Sequence, residues 1–367
     1  MLDLKTLQYT CMIVMLMLAF FTFMSRYYVT CRNRQFEQSR WMIVVALILL
    51  GIHYLLQMVF GWREKGDDVG VLFNLLFYSP AAILLSCSQL NIQLAEQKRW
   101  KYMKAGVISY ILIAATIGIS VAAYGSMHIG NMLYAVDALH FAVLLYYIWM
   151  PLKEVRKVQQ KLDSELGNPA DTYLRTMRTG LLVLCVFVVL SPLFILSQPL
   201  LFVFGPFALV ALSAFIVCFT SLGFSLSEGV TEIVSESDDD SFNDKTIPEL
   251  TPELMNKIEN IVQKWRLENG YRDSNLTLTS FTRRIRISRS DFTAYLFANR
   301  YKSFRTWLSS IRVKEAQLLM KEHPEYSNEV VSMECGFSSR VYFQRVFKER
   351  TGKTPTEWKG TETDSAK

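Results

Sequence analysis

Arg340, Gln344 and Arg345 stand near the C-terminal end of a 367-residue chain, on what reads as a single helix. Arginine donates bidentately to guanine or to phosphate, and glutamine pairs with adenine, so the group offers hydrogen-bond readout rather than bond making. Ser339 and Val341 flank it. Earlier in the chain Arg283, Arg284, Arg289, Ser290 and Thr293 make a second polar set. A third set, His53, Gln57, Asn74, Asp137 and His140, lies inside long apolar runs. Polar and ionisable groups in such surroundings are costly; they line a ligand pocket or they hold neighbouring helices together. Asp137 and His140 are three residues apart and share a helical face. The four histidines and six cysteines show no CxxC pair and no metal-ligand spacing. We therefore expect no enzyme activity, no cofactor, no structural zinc and no disulfide framework.

The elements that carry these groups differ sharply along the chain. Crossing about 30 Å of hydrocarbon takes about 20 apolar residues in a helix. Seven runs qualify or come close: Leu7–Met24, Trp41–Phe60, Val71–Gln93, Ala105–Tyr124, Met132–Met150, Gly180–Leu196 and Leu200–Leu226. The first is preceded by one lysine and followed by no small-residue cleavage site, so it reads as a retained helix. Lysine and arginine in the successive connections number 4, 2, 4, 0, 6 and 0. That alternation fits seven crossings with the N-terminus outside and the C-terminus in the cytoplasm of a bacterial inner membrane.

Residues 227–251 carry eight acidic residues against Lys245 alone and many serines. Such a stretch buries too little to order itself and reads as a flexible tether. From Thr251 to Gly360 the balance reverses, with 20 Lys and Arg against 12 Asp and Glu. A net positive domain of this kind fits phosphate binding, on nucleic acid or on anionic lipid. Its pattern is helical. Thr251 caps a helix begun by Pro252 and stopped by Gly270. A short helix near Leu278–Ile285, a turn at Arg286–Ile287 and a helix capped by Ser288 follow. A longer helix spans about 303–321, with Phe304, Trp307, Leu308, Ile311, Ala316, Leu318 and Leu319 as its apolar positions. Beyond Pro324, Ser327 caps another short helix, Gly336 supplies a left-handed turn and Phe337 fills the angle. Ser338 or Ser339 opens the next helix, whose buried face is Tyr342 or Phe343 with Val346 and Phe347.

This end of the chain resembles the AraC family of transcription regulators. The resemblance rests on Arg312-Val313-Lys314-Glu315-Ala316-Gln317-Leu318-Leu319, Gly336-Phe337, Tyr342-Phe343-x-Arg345-x-Phe347-Lys348 and Gly352-x-Thr354-Pro355. It covers about residues 252–360. It implies two helix-turn-helix units joined by the helix at 303–321, each laying one recognition helix in the major groove. Thr282 and Arg286 replace the family's usual alanine and glycine, Val331 replaces an alanine, and Ala294 stands where a basic base-contacting residue is frequent. The second unit is thus expected to carry more base readout, through Arg340, Arg345 and Gln344. The first should contribute more phosphate contact, through Arg283, Arg284 and Arg289.

The expected fold is all-α. A seven-helix transmembrane bundle (1–226) is followed by the acidic linker (227–251), a soluble domain with two helix-turn-helix units (252–360) and a disordered tail (361–367). The expected function is a membrane-bound, sequence-specific transcription regulator that couples a signal at the membrane to promoter binding, as activator or repressor. Expected partners are double-stranded DNA, the lipid bilayer, RNA polymerase and an unidentified small-molecule or membrane signal, with a homodimer left open. The rival expectation is a transporter or membrane enzyme fused to a regulator that it controls.

Overall fold

The computed structural model describes residues 4–29, 33–94, 96–195, 198–225 and 250–365. The described residues are all-α and fall into two compact units. Most of the expected acidic linker, up to residue 249, lies outside the described residues, as do Cys31 and Arg32.

The first unit holds α1 (Leu4–Met24), α2 (Arg34–Phe60), α3 (Asp67–Gln93), α4 (Glu96–Tyr124), most of α5 (Met132–Glu165), α6 (Asp171–Ile195) and α7 (Gln198–Ser225). Seven of its helices are long and apolar enough to cross a membrane. α1 packs on α2, α2 on α3 and α6 on α7, while α7 also meets α1 and α4 meets α3. Phe36 of α2 stacks on Phe219 of α7 with ring centroids 4.6 Å apart. On the outside of α7, Val203, Val210 and Val217 recur every seven residues and are all exposed. An outward stripe of valine at two-turn spacing is costly against water and natural against hydrocarbon.

One helix departs from its sequence reading. α5 was expected to stop near Met150, but it runs 34 residues without a break and carries Pro151 inside it. A change from apolar to charged side chains does not end a helix; only lost backbone hydrogen bonding does. The boundary between units also differs from the expected one at 226: Gln159–Ala170, the end of α5 and the turn after it, belongs to the second unit.

The remainder of the second unit is α8 (Pro252–Leu267), α9 (Leu278–Ile285), α10 (Arg289–Ala298), α11 (Phe304–Glu322), α12 (Asn328–Glu334), α13 (Arg340–Thr351) and α14 (Pro355–Ser365). α14 runs past residue 360 into the stretch read as a tail. Side-chain caps set most starts. Thr251, Thr277, Ser288, Ser303, Ser327 and Ser339 each accept a hydrogen bond from a backbone N–H in the first turn of the helix that follows. The end of α8 differs from expectation. Asn269, at φ +57°, takes the left-handed turn, and Gly270 is needed for closeness instead. A Cβ there would stand 2.0 Å from the Trp265 indole nitrogen.

α11 joins two cores. One gathers Ile258, Trp265, Phe281, Phe292, Phe304 and Trp307 from α8 to α11. The other gathers Val313, Ala316, Val331, Phe337, Phe343 and Phe347 from α11 to α13. α11 thus buries residues around most of its surface along its length, though Leu318 is half exposed rather than core.

Candidate nucleic-acid interface

The second helix-turn-helix unit is α12, the turn at 335–339 and α13. Gly336 adopts φ +77°. A Cβ at this position would stand 2.5 Å from the Tyr271 carbonyl oxygen and 2.7 Å from that of Arg272. The residue therefore has to be glycine on two grounds, backbone handedness and a close approach to the first core's loop. Phe337 is buried behind it and sets the angle of α13. Ser339, not Ser338, caps α13, accepting from the Tyr342 N–H at 3.2 Å. Tyr342, Phe343, Val346 and Phe347 are all buried. On the opposite side Arg340, Val341 and Arg345 are exposed and Gln344 is half buried. The Arg345 guanidinium lies 5.5 Å from the Tyr342 ring centre, which steadies it.

The first unit is α9, the turn at 286–288 and α10. Its turn is made by Arg286 at φ +54°. Thr282 is buried, its hydroxyl donating to the Thr279 carbonyl at 3.2 Å. Arg283, Arg284 and Ser290 are exposed. Thr293 is buried and donates to the Arg289 carbonyl at 2.8 Å. Ala294 is buried as well, so it occupies a packing position rather than an outward one.

The segment 159–170 adds contacts that the sequence pattern did not reveal. Glu165, whose side chain is fully buried, pairs with Arg289, and the Thr279 hydroxyl donates to it at 3.5 Å. Arg305 of α11 donates to the Asp163 carboxylate at 2.9 Å and to the Leu162 carbonyl at 3.1 Å. Gly167 donates its N–H to the Leu276 carbonyl at 3.0 Å. A Cβ on Gly167 would stand 2.5 Å from a Leu308 methyl carbon. Asn168 donates to the carbonyls of Ser274 at 2.6 Å and Gly336 at 3.1 Å. It also accepts from Arg312 at 3.1 Å. Arg312 is fully buried and donates further to the carbonyls of Tyr271 at 2.9 Å and Asp273 at 2.6 Å. Burial lowers its pKa to about 10, so it stays charged at neutral pH.

Comparison with known proteins agrees with this geometry. A family model described as a helix-turn-helix domain matches residues 281–361. The transcriptional activator RhaR of Salmonella dublin is 30% identical over 87 residues, which are 24% of this chain and 30% of the relative. RhaR proteins of Salmonella arizonae and Salmonella paratyphi B are each 40% identical over 53 residues, 14% of this chain and 18% of theirs. The C-terminal domain is an AraC-type helix-turn-helix domain. The chain spans less than a third of the length of these relatives. No solved structure matches it.

In the AraC-type domain the ten nominated residues divide in two. Arg340, Val341 and Arg345 stand out from α13, with Gln344 beside them and Ser339 at its cap. Arg283, Arg284 and Ser290 stand out from the first unit, whereas Arg289 is engaged by Glu165 and Thr293 is covered. The burial of Thr293 and the engagement of Arg289 come from long-range packing that local periodicity does not encode.

In the first unit of the chain the five nominated polar residues are all buried. They do not form one cluster. Gln57 donates to Asn74 at 3.1 Å, and His53 packs against the rings of Phe77 and Tyr78. These three line a cavity of about 30 Å³ with Gln8, Cys11, Tyr54 and Tyr78. His140 lines a neighbouring cavity of about 30 Å³, which also includes Tyr54 and Tyr78. Its Nδ1 lies 2.7 Å from the Ser79 hydroxyl, while its Nε2 has no hydrogen-bond partner among the described residues. Tyr54 and Tyr78, whose hydroxyls are 3.1 Å apart, join the two cavities; the sequence reading missed both tyrosines. Asp137 lines neither.

Proposed function

We propose that the protein is a membrane-embedded transcription regulator. Its seven apolar helices cross the bacterial inner membrane, and its AraC-type domain binds promoter DNA on the cytoplasmic side. The observation that carries this reading is the union in one chain of seven membrane-length apolar helices with a helix-turn-helix domain that presents arginines from α13. The alternation of basic residues between the helices supports an outside N-terminus and a cytoplasmic domain. Arg340 and Arg345 are assigned to base edges, Gln344 to an adenine, and Ser339 and Val341 to the groove wall. Arg283, Arg284 and Ser290 are assigned to the first half-site, mainly to phosphates; Arg289 joins them when it leaves Glu165, and the buried Thr293 supports α10 from within. RNA polymerase and a second copy of the chain are the protein partners this role calls for.

The bundle is assigned the sensing role. His53, Gln57, Asn74, His140 and Asp137 are buried polar groups among apolar helices, and the first four meet two small cavities joined by Tyr54 and Tyr78. A cavity of about 30 Å³ is the size of one water. A signal molecule seated there must part the helices, and that parting is the event relayed to the domain.

The test is a pair of fusions after Lys367. Alkaline phosphatase should be inactive and a fluorescent protein bright; the reverse result rejects the topology and the regulator with it. Chromatin immunoprecipitation of the full chain should recover discrete promoters that Arg345→Ala loses.

A further inference from the structure

The covering of the first recognition helix is the feature that the proposed function leaves unused. In helix-turn-helix proteins the N-terminal residues of the recognition helix meet the bases and flanking phosphates. In α10 that end bears Arg289, and Arg289 is held by a carboxylate of the same chain. The carboxylate belongs to Glu165, the last residue of α5, which begins in the other unit. Three further attachments fix the segment: Asp163 to Arg305, the Gly167 N–H to Leu276, and Asn168 to Arg312 and to the carbonyl of Gly336. Asn168 thus reaches the turn of the second helix-turn-helix unit as well. The matched family region, 281–361, contains none of these four residues. The cover comes from a part of the chain upstream of the matched region.

We propose that Gln159–Ala170 is an intramolecular clamp on the DNA-binding face, in which the Glu165 carboxylate holds Arg289 in place of a DNA phosphate. While the Glu165 carboxylate neutralises and holds the guanidinium, Arg289 is not presented to a phosphate, so the clamped domain binds DNA through Arg283 and Arg284 without the Arg289 contact. Because the clamp is continuous with α5, any movement of that helix changes its hold on Arg289. This is a direct route from the bundle to the reading head, independent of the acidic linker. The inference rests on the domain being a DNA reader.

The experiment uses the full chain in lipid nanodiscs and a 30-base-pair duplex of arbitrary sequence, with affinity measured by fluorescence anisotropy over a range of salt. Glu165→Gln keeps the shape and removes the charge. It should bind about fivefold more tightly than the unmodified protein, and the slope of log affinity against log salt should steepen by about one released ion. In an Arg289→Ala background the same substitution should bring no gain. Asp163→Asn, at a half-exposed position that leaves no hole, should tighten binding about twofold. Equal or weaker binding in both Glu165→Gln and Asp163→Asn overturns the clamp, as does a gain from Glu165→Gln that survives in Arg289→Ala. Measurable binding in all proteins with no differences rejects the clamp alone. No binding by any of them rejects the DNA-reading role, and the clamp with it.

Discussion

The turn of the first helix-turn-helix unit is made by Arg286 at φ +54°, and that of the second by Gly336 at φ +77°. Both turns need a left-handed residue, but their surroundings are opposite. Arg286 is exposed, whereas Gly336 sits against two backbone carbonyls. The outer faces differ in the reverse sense. α13 presents Arg340, Val341 and Arg345 openly, while α10 has Arg289 engaged and Thr293 buried. One topology has thus been tuned twice. The second unit is tightly fitted inside and open outside. The first is loosely surrounded at its turn and partly covered on its face, at Arg289 and Thr293.

The comparison is broken most severely at Gly336. Gly336→Ala places a methyl group 2.5 Å and 2.7 Å from carbonyl oxygens that belong to backbone and cannot swing aside. The left-handed conformation alone costs about 1–2 kcal/mol, and the displaced loop raises the expected loss to about 3 kcal/mol. Hydrogen exchange on the full chain should show amides of α12 and α13 losing protection by that amount. A loss below about 1 kcal/mol would mean that the two cores slide apart freely, and the contrast with Arg286 would vanish.

Next in size is the effect on DNA. Arg345→Ala should cost about 1–3 kcal/mol on the preferred sequence and much less on others, because a bidentate base contact discriminates. Arg283→Ala and Arg284→Ala should weaken binding to all sequences alike and each reduce the salt dependence by about one ion. Anisotropy titrations against a preferred and a scrambled duplex separate the two behaviours. A uniform loss from Arg345→Ala would make α13 a phosphate binder and erase the division of labour between the units.

Much of this arrangement was legible from local pattern. Apolar runs long enough to span hydrocarbon marked the seven helices of the bundle. Thr251, Ser288 and Ser327 marked helix starts, because a short hydroxyl side chain serves the first-turn N–H groups whatever the tertiary context. Gly336-Phe337 marked the second turn for an equally local reason. What stayed hidden depends on distant partners. Ala294 and Thr293 look outward by sequence position and are buried. Nothing in the local pattern singles out Gly167-Asn168, yet only glycine fits at 167, where Leu276 and Leu308 leave no room for a side chain. In the bundle, nothing in the sequence pattern marks Tyr54 and Tyr78; their hydroxyl contact appears only when α2 and α3 lie side by side.

The smallest expected effect sharpens the comparison from the other side. Arg286 carries a left-handed strain of about 1–2 kcal/mol that Gly would remove. Gly also gives the unfolded chain more freedom, which returns about 0.4–1 kcal/mol of the gain. The net for Arg286→Gly is a stabilisation of about 0.5–1 kcal/mol, read as added hydrogen-exchange protection in α9 and α10. The same exchange at Gly336 has no counterpart, since nothing but glycine fits there. If Arg286→Gly destabilises the domain instead, the exposed guanidinium is making a contact worth more than the strain, and the first turn is no longer the loosely surrounded one of the pair.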